Sequence, residues 1–478
     1  MSQRQEFILG YAPTRRNVFS REDALKYKKL ILEKIKKFNI NIVDIDDIND
    51  EGLLLTDEDI SKAVKKFKDK RVDAVFTPHC NFGTENAVAN VGKELSKPLL
   101  LWGPRDEMPL PDGSRLRDTQ CGLFATSKIL QRLGVKYTYI VNSRIDDEIF
   151  NRGFENFIRA ANVIKKFKKI RIGQIGVRPA GFWTVICNEG ELLEKFGVEI
   201  VPFNLIDVIN MVKALVLKPT DELTRTVKYV KENMNVKIQE EALIKISGLA
   251  VVIEQISASY KIDAFALQCW NSLQENMGIM PCLAHSILFD RGIPVACETD
   301  INGAITSVIA SAASFGEKPL FFADLTIRNP EDDNSELLWH CGPFPFSLKK
   351  EGTIGCVDTH FILDDHPPGT CNWEIKGGDV SIVRFDGLNG DYSIFVGHAE
   401  GIDGPKTKGT YLWVRVKDWI KWEEKLINGP YIHHVVGLHD KIAPVIFEAS
   451  KYMLGIKTEL VEPDEDAIKK WLVVKGLI

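Results

Sequence analysis

From residue 6 to residue 314 the chain alternates short apolar runs with longer segments of helical periodicity, and this alternation restricts its fold more than any other feature. Apolar runs read as strands at 6–12, 41–45, 72–77 and 98–102, separated by helical patterns at 21–37, 57–68 and 84–96. Ser20 stands where an N-cap belongs, with Glu22 and Asp23 in the turn that follows, and Thr56-x-x-Asp59 has the form of a capping box. Strands joined through helices pair in parallel, so this part is expected to form a parallel sheet with helices on both faces.

A lysine-rich helix ends near Lys169, and the pattern then restarts. Strands at 170–176, 198–203, 263–268 and 293–297 alternate with helices at 182–196, 205–216, 238–260, 278–291 and 301–314. Past residue 320 the texture changes. Segments 353–361, 372–385, 391–397 and 410–416 are short and rich in aromatic and β-branched residues, and Pro367-Pro-Gly, Gly377-Gly and Asn389-Gly punctuate them. That is the signature of antiparallel strands joined by tight turns. Helices at 417–427 and 440–453 follow. The expected fold is α/β: two doubly wound α/β domains, 1–168 and 169–322, followed by a C-terminal antiparallel β-rich domain, 323–478.

Several function classes drop out on composition. A net charge of −5 supplies no basic face for nucleic acid. No uninterrupted apolar run reaches a membrane-spanning length of about 18–20 residues. The first residues carry no apolar leader, so the cytoplasm is the expected compartment. Nine cysteines stand singly without a CxxC, which suits small buried hydrophobes in a reducing environment. Gly173-x-x-Gly176-x-x-x-x-Gly181 is neither a dinucleotide fingerprint nor a Walker loop, and no GxSxG elbow is present.

The chemistry-bearing residues concentrate between Gln268 and Gly303. Glu275 follows the strand expected at 263–268, and Asp300 follows the one expected at 293–297. Ligands of doubly wound sheets bind at the carboxyl ends of the strands, so these two acids are expected to meet there. A plainer role for Asp300 is to cap helix 301–314. The His433-His434 pair opens a late apolar run; two carboxylates and an imidazole would suit Mn²⁺ or a similar ion. Arg15 and Arg16 follow the first strand, His79 and Asn81 the third, and Trp102 the fourth, all at the ligand-binding edge of the first sheet. They are candidates for substrate hydroxyls or an anionic substituent, and Trp102 for stacking on a sugar, although surface arginines more simply form salt bridges. His398, beside a turn, is a further candidate lining residue.

Four stretches resemble the L-fucose isomerase family, with a more distant likeness to L-arabinose isomerases. They are Pro13-Thr-Arg15-Arg16, Leu267-Gln-Cys-Trp270, Pro294-Val-Ala-Cys-Glu298-Thr-Asp300-Ile-Asn302-Gly303-Ala304 and the His433-His434 segment. The resemblance implies two α/β domains and a β-rich third, homo-oligomers (often hexamers), and Mn²⁺, with Co²⁺ as a substitute, held by a Glu, a His and an Asp. By motif these fall on Glu275, Asp300 and His434, with His433 as the alternative histidine. Trp270 joins the substrate-contacting set. The implied reaction is interconversion of an aldose and its ketose through a cis-enediolate, with Glu275 and Asp300 as metal ligands and proton-shuttling pair. L-Fucose, D-arabinose and L-arabinose are the first substrates implied, and a sulfonated sugar such as sulfoquinovose is the alternative. A cytoplasmic sugar-binding protein without catalysis is the reading from another class.

Overall fold

The computed structural model describes residues 2–453 and 455–474. Its chain divides into two compact units: residues up to 165 with 447–453 and 465–474, and residues 166–446 with 455–464.

The first unit holds a parallel sheet of β1 (Ile8–Tyr11), β2 (Asn41–Val43), β3 (Ala74–Pro78), β4 (Leu99–Trp102) and β5 (Thr138–Tyr139), in the order β2-β1-β3-β4-β5. Its helices begin where the caps foretell. Ser20 Oγ accepts from the Asp23 amide, and Thr56 and Asp59 complete a reciprocal capping box at helix Asp57–Asp69. Each such cap is worth about 1 kcal/mol.

The second unit has two layers. One is a parallel sheet of β6 (Arg171–Ile175), β7 (Glu199–Phe203), β9 (Ala264–Leu267) and β10 (Val295–Ala296), in the order β10-β9-β6-β7, while the short β8 (Asn235–Val236) joins the other layer. Where a helix is expected at 182–196, the structure has a 3₁₀ turn at Trp183–Val185 and then helix Glu189–Phe196, because Asn188 caps the Glu191 amide and starts the helix there. The helix expected at 278–291 starts later, as Cys282–Asp290 behind Pro281, and an unexpected short helix, Ser272–Met277, precedes it and ends at Gly278 with φ +65°. The long apolar helix Glu240–Tyr260 buries Leu243, Ile246, Leu249, Val252 and Ile256 within this unit.

The other layer is mostly antiparallel, with β8, β14 and β19 each joined through a parallel pairing. Strands β11 (Leu320–Arg328), β12 (Ser335–His340), β13 (Cys356–Thr359), β14 (Pro368–Glu374), β15 (Gly378–Leu388), β16 (Asp391–Ile402), β17 (Thr410–Arg415), β18 (His434–Leu438) and β19 (Ile456–Leu460) form one sheet with β8. Its central run β16-β15-β18-β11-β12-β17 closes on itself, because β16 also pairs with β17, giving a six-stranded antiparallel barrel. The segment expected as one strand at 372–385 breaks at Lys376-Gly377 into β14 and β15. Helix Ile301–Ala313 lies between the layers, against β9 on one side and β11, β15 and β18 on the other, and is buried almost throughout. Gly303 permits this closeness: a Cβ there would stand 2.6 Å from the Phe322 ring and from Asp300 Oδ2. The amino end of this helix is thereby fixed against the barrel wall.

Candidate active site

Two parallel strands deliver the first residues. Beyond β9 the chain runs through Gln268, Cys269 and Trp270; beyond β10 it turns through Cys297, Glu298 and Thr299 to Asp300. Glu298 and Thr299 both have positive φ, 53° and 58°. For a β-branched threonine this is an outlier that the surroundings must hold in place, and such outliers concentrate at functional sites. The turn buries the Glu298 side chain and leaves Asp300 at the N-cap, where Oδ1 accepts from the Gly303 amide at 2.9 Å.

The barrel delivers the rest. Asp324 on β11 and His434 on β18 are direct cross-strand partners. His434 Nδ1 donates to Asp300 Oδ2 at 3.0 Å. Its Nε2 then faces Glu298 Oε2 at 3.5 Å and Asp324 Oδ1 at 3.6 Å. Both of those carboxylate oxygens are enclosed and have no hydrogen-bond partner among the described residues, and so is His340 Nε2, 4.0 Å from Asp324 Oδ1. Arg384 on β15 fixes the layer behind, pairing with Asp300 and, at 2.7 Å, with Asp386, which also accepts from Asn302 at 2.8 Å.

Electrostatics separate these acids. Burial raises the Glu298 carboxyl well above the ordinary glutamate range, and the Cys269 thiol at 3.2 Å from Oε1 adds to the effect. Burial likewise pushes Asp324 up to about 6. Burial alone would raise Asp300 as well, but the Arg384 charge and His434 outweigh it and hold its carboxyl well below the usual aspartate range. Burial opposes charge on His434, yet its hydrogen bond to Asp300 and the surrounding carboxylates raise it. Asp300 is thus a fixed anion that orients an imidazole, while unpartnered oxygens of Glu298 and Asp324 lie 3.5 and 3.6 Å from that imidazole's Nε2. Two carboxylates, each with an unpartnered buried oxygen, on either side of one imidazole nitrogen fit a divalent cation with coordination positions left for substrate oxygens.

This arrangement corrects the expected set. Glu275 lies exposed on the short helix Ser272–Met277, and its carboxylate makes no hydrogen bond or ion pair among the described residues. The turn through Trp270 and Asn271 carries it away from the strand tip, and Glu298 stands where it was expected. Asp300 does lie at the site, as helix cap and partner of His434 Nδ1, on the far side of the imidazole from the converging atoms. The His433 ring lies 4.3 Å from that of His434, and one of its nitrogens comes within 4.8 Å of the ligand atoms of Asp324 and His434, but the side chain is exposed. Trp270 stays beside the site, edge-on to Phe182 at 5.1 Å. His398 accepts from the Ala443 amide at 3.1 Å, and this places its ring at the start of helix Ala443–Ser450.

In the first unit the candidates are occupied by their own neighbours. Arg15 pairs with Glu51 through Nε at 2.5 Å, and Arg16 pairs with Glu85 at 3.1 Å while lying over Phe82. Asn81 accepts from the Arg16 amide at 2.8 Å and pins that loop. His79 is buried with Nδ1 2.7 Å from the Phe82 carbonyl. Trp102 is also corrected: its ring is enclosed against Phe76 and Phe150, and Nε1 donates to Ser143, leaving no face for a sugar.

Two signals in the sequence could have pointed to Asp324 and Glu298. Asp324 is a lone acid inside Leu320-Phe-Phe-Ala-Asp-Leu, where an unpaired charge is costly. Glu298 is the other acid of the Glu-Thr-Asp turn that supplied Asp300.

Paired carboxylates of raised pKa beside an imidazole, at the junction of a parallel sheet and a barrel, suit proton transfer on a polyhydroxylated carbonyl compound. Residues 10–168 match the family "Fucose/sulfoquinovose isomerase, N-terminal domain". A sulfoquinovose isomerase of Priestia megaterium is 25% identical over 470 residues, covering 95% of this chain and 99% of that protein. One from Alkalicoccus urumqiensis is 24% identical over 383 residues, covering 79% and 84%. A solute-binding protein of Actinobacillus succinogenes with bound D-allose aligns at 14% identity over 60% of this chain and 83% of its own, with a TM-score of 0.16, too weak to carry an argument. The chain is an aldose–ketose isomerase. Its N-terminal part, residues 10–168, is similar to the fucose/sulfoquinovose isomerase family.

Proposed function

We propose that this isomerase acts on a sulfonated aldose of the sulfoquinovose type, in place of the L-fucose, D-arabinose or L-arabinose first expected. The observation that carries this reading is similarity along nearly the whole chain to proteins named sulfoquinovose isomerase. The same matches favour catalysis over the non-catalytic binding alternative.

Glu298 and Asp324 take the roles the sequence suggested for Glu275 and Asp300. One of their carboxylates removes the C2 proton and returns it at C1, while the other moves a proton between O2 and O1. A divalent cation, Mn²⁺ or Co²⁺, when bound by Glu298, Asp324 and His434, supplies Lewis-acid stabilisation of the charge that builds on O1 and O2. Asp300 and Arg384 hold His434 in place throughout.

A sulfonate carries a fixed negative charge and calls for a cation at the rim. Arg178 is the candidate, on the loop after β6. Its guanidinium donates only to the Pro179 and Ala180 carbonyls, at 3.3 Å, and forms no ion pair among the described residues. The loop is tied to the rim of β9: the Val177 amide donates to Gln268 Oε1 at 3.1 Å, and Phe182 packs on Trp270. Arg384 cannot serve, being committed to Asp300 and Asp386.

The reading extends to a cytoplasmic homo-oligomer, a hexamer by resemblance, which light scattering tests directly. Activity is tested with metal-free protein reloaded with Mn²⁺ and offered sulfoquinovose, L-fucose, D-arabinose and L-arabinose, with products identified by NMR. Turnover of sulfoquinovose to its ketose is expected. Efficient turnover of a neutral aldose without sulfoquinovose conversion would replace this reading.

A further inference from the structure

The floor of the site is rich in sulfur, and the proton-transfer chemistry leaves that sulfur unused. Cys269 follows β9 and donates its thiol to Glu298 Oε1 at 3.2 Å. Cys297 follows β10 and precedes Glu298 in the same turn. One ligand atom from each of Cys269, Cys297 and Glu298 lies within 4.8 Å of the others, and all three residues are buried. Behind them His285 Nδ1 stands 3.4 Å from Cys297 Sγ.

Glu298 therefore has two faces. Oε2 lies 3.5 Å from the His434 imidazole, and Oε1 accepts from the Cys269 thiol, with Cys297 in the same cluster. Carboxylate and imidazole suit ions such as Mn²⁺ and Co²⁺, whereas thiolates select softer ions. We propose that Cys269, Cys297 and Glu298 form a second cation site, selective for a thiophilic ion such as Zn²⁺ or Cd²⁺. Because it shares Glu298 with the set around His434, filling it withdraws that carboxylate and stops turnover. Binding displaces the two thiol protons to solvent and forms two metal–sulfur bonds, with no change of oxidation state. The enzyme thus carries an inhibitory site for soft metals within its own active site.

The test is a Cd²⁺ titration of the full-length, metal-free protein, followed by thiolate-to-cadmium absorption in the ultraviolet. The expected result is a band saturating at one equivalent, reduced by at least half in Cys269→Ser and in Cys297→Ser and absent in the double variant. Cadmium NMR of the wild type checks the same donor set without substitution, since two sulfur ligands shift the resonance away from that of an oxygen–nitrogen site. Loss of activity on Cd²⁺ addition, reversed by a chelator and not by a reductant, completes the expectation. A band unchanged in the double variant, coming from another cysteine such as the exposed Cys121, overturns the proposal, as does a cadmium resonance without sulfur ligands. The absorption and the resonance require neither sugar nor Mn²⁺, so they succeed or fail independently of the proposed substrate.

Discussion

Asp300 and His434 are joined by a buried hydrogen bond of 3.0 Å, and that bond fixes which ring nitrogen faces the reaction space. With Nδ1 donating to Asp300, Nε2 keeps its lone pair and points at Glu298 and Asp324. Asp300→Asn keeps the size of the side chain and its cap on Gly303 but removes the charge. Mn²⁺ affinity, measured by calorimetry, is expected to fall about 10–100-fold. An unchanged affinity would mean that the imidazole is oriented by something else.

Replacing the converging acids should be far more damaging to turnover. Glu298→Gln and Asp324→Asn are each expected to lower kcat by about 10²–10⁴-fold, the range for losing a general acid or base. Glu275→Gln, altering an exposed side chain without partners among the described residues, is expected to stay within about twofold of the wild type. Steady-state rates on the three variants decide between the two assignments, and an inactive Glu275→Gln protein would reverse them.

Arg384 is a buried cation between two buried aspartates. Arg384→Met removes the shared partner and leaves Asp300 and Asp386 uncompensated, at a cost of about 3–5 kcal/mol. Urea unfolding should show a lower midpoint with little change in slope.

At the rim, Arg178→Ala is expected to raise KM for a sulfonated aldose by about 10–100-fold, the equivalent of a charge-assisted hydrogen bond worth about 1.5–3 kcal/mol. Arg178→Lys should recover part of that loss. A neutral aldose, if it is turned over, should be unaffected; an equal loss on both substrates would assign Arg178 to the loop's structure.

His79 supplies a pH-dependent contribution in the first unit. Burial is the largest cause of its lowered pKa, about 4, with Arg16 adding to it. The unfolded chain, with a histidine near 6.5, binds the proton more readily, so stability is intact above about pH 6.5 and falls as pH drops toward about pH 4. At about pH 5 the loss from this one group is about 2 kcal/mol. His79→Gln should therefore show a shallower drop in unfolding free energy between about pH 7 and about pH 5 than the wild type.

The sequence was most legible where local chemistry acts alone. Thr56 and Asp59 announce their capping box, and the apolar runs announce the parallel strands. Asp300 was read both as a helix cap and as a site residue; the cap on Gly303 is there, and the other carboxylate oxygen meets His434 Nδ1. Glu275 and Glu298 could not be told apart by position, because each follows a strand; the choice was made by the backbone turn at Glu298 and Thr299, whose positive φ values depend on tertiary packing. Asp324 was hidden because its value depends on register: only the pairing of β11 with β18 sets it opposite His434. Trp102 reads as a rim residue by its place after an apolar run, and only the packing of Phe76 and Phe150 shows that it belongs to the core.

Register has one more result. Asp324 and His434 belong to neighbouring barrel strands, while Glu298 arrives from the other layer, so an unfolded chain offers no chelate. Any ion captured by the three must favour the assembled form over every partly assembled one. The proposed metal centre should then also act as a rivet between sheet and barrel, and added Mn²⁺ should raise the melting temperature even in a variant that turns over no sugar.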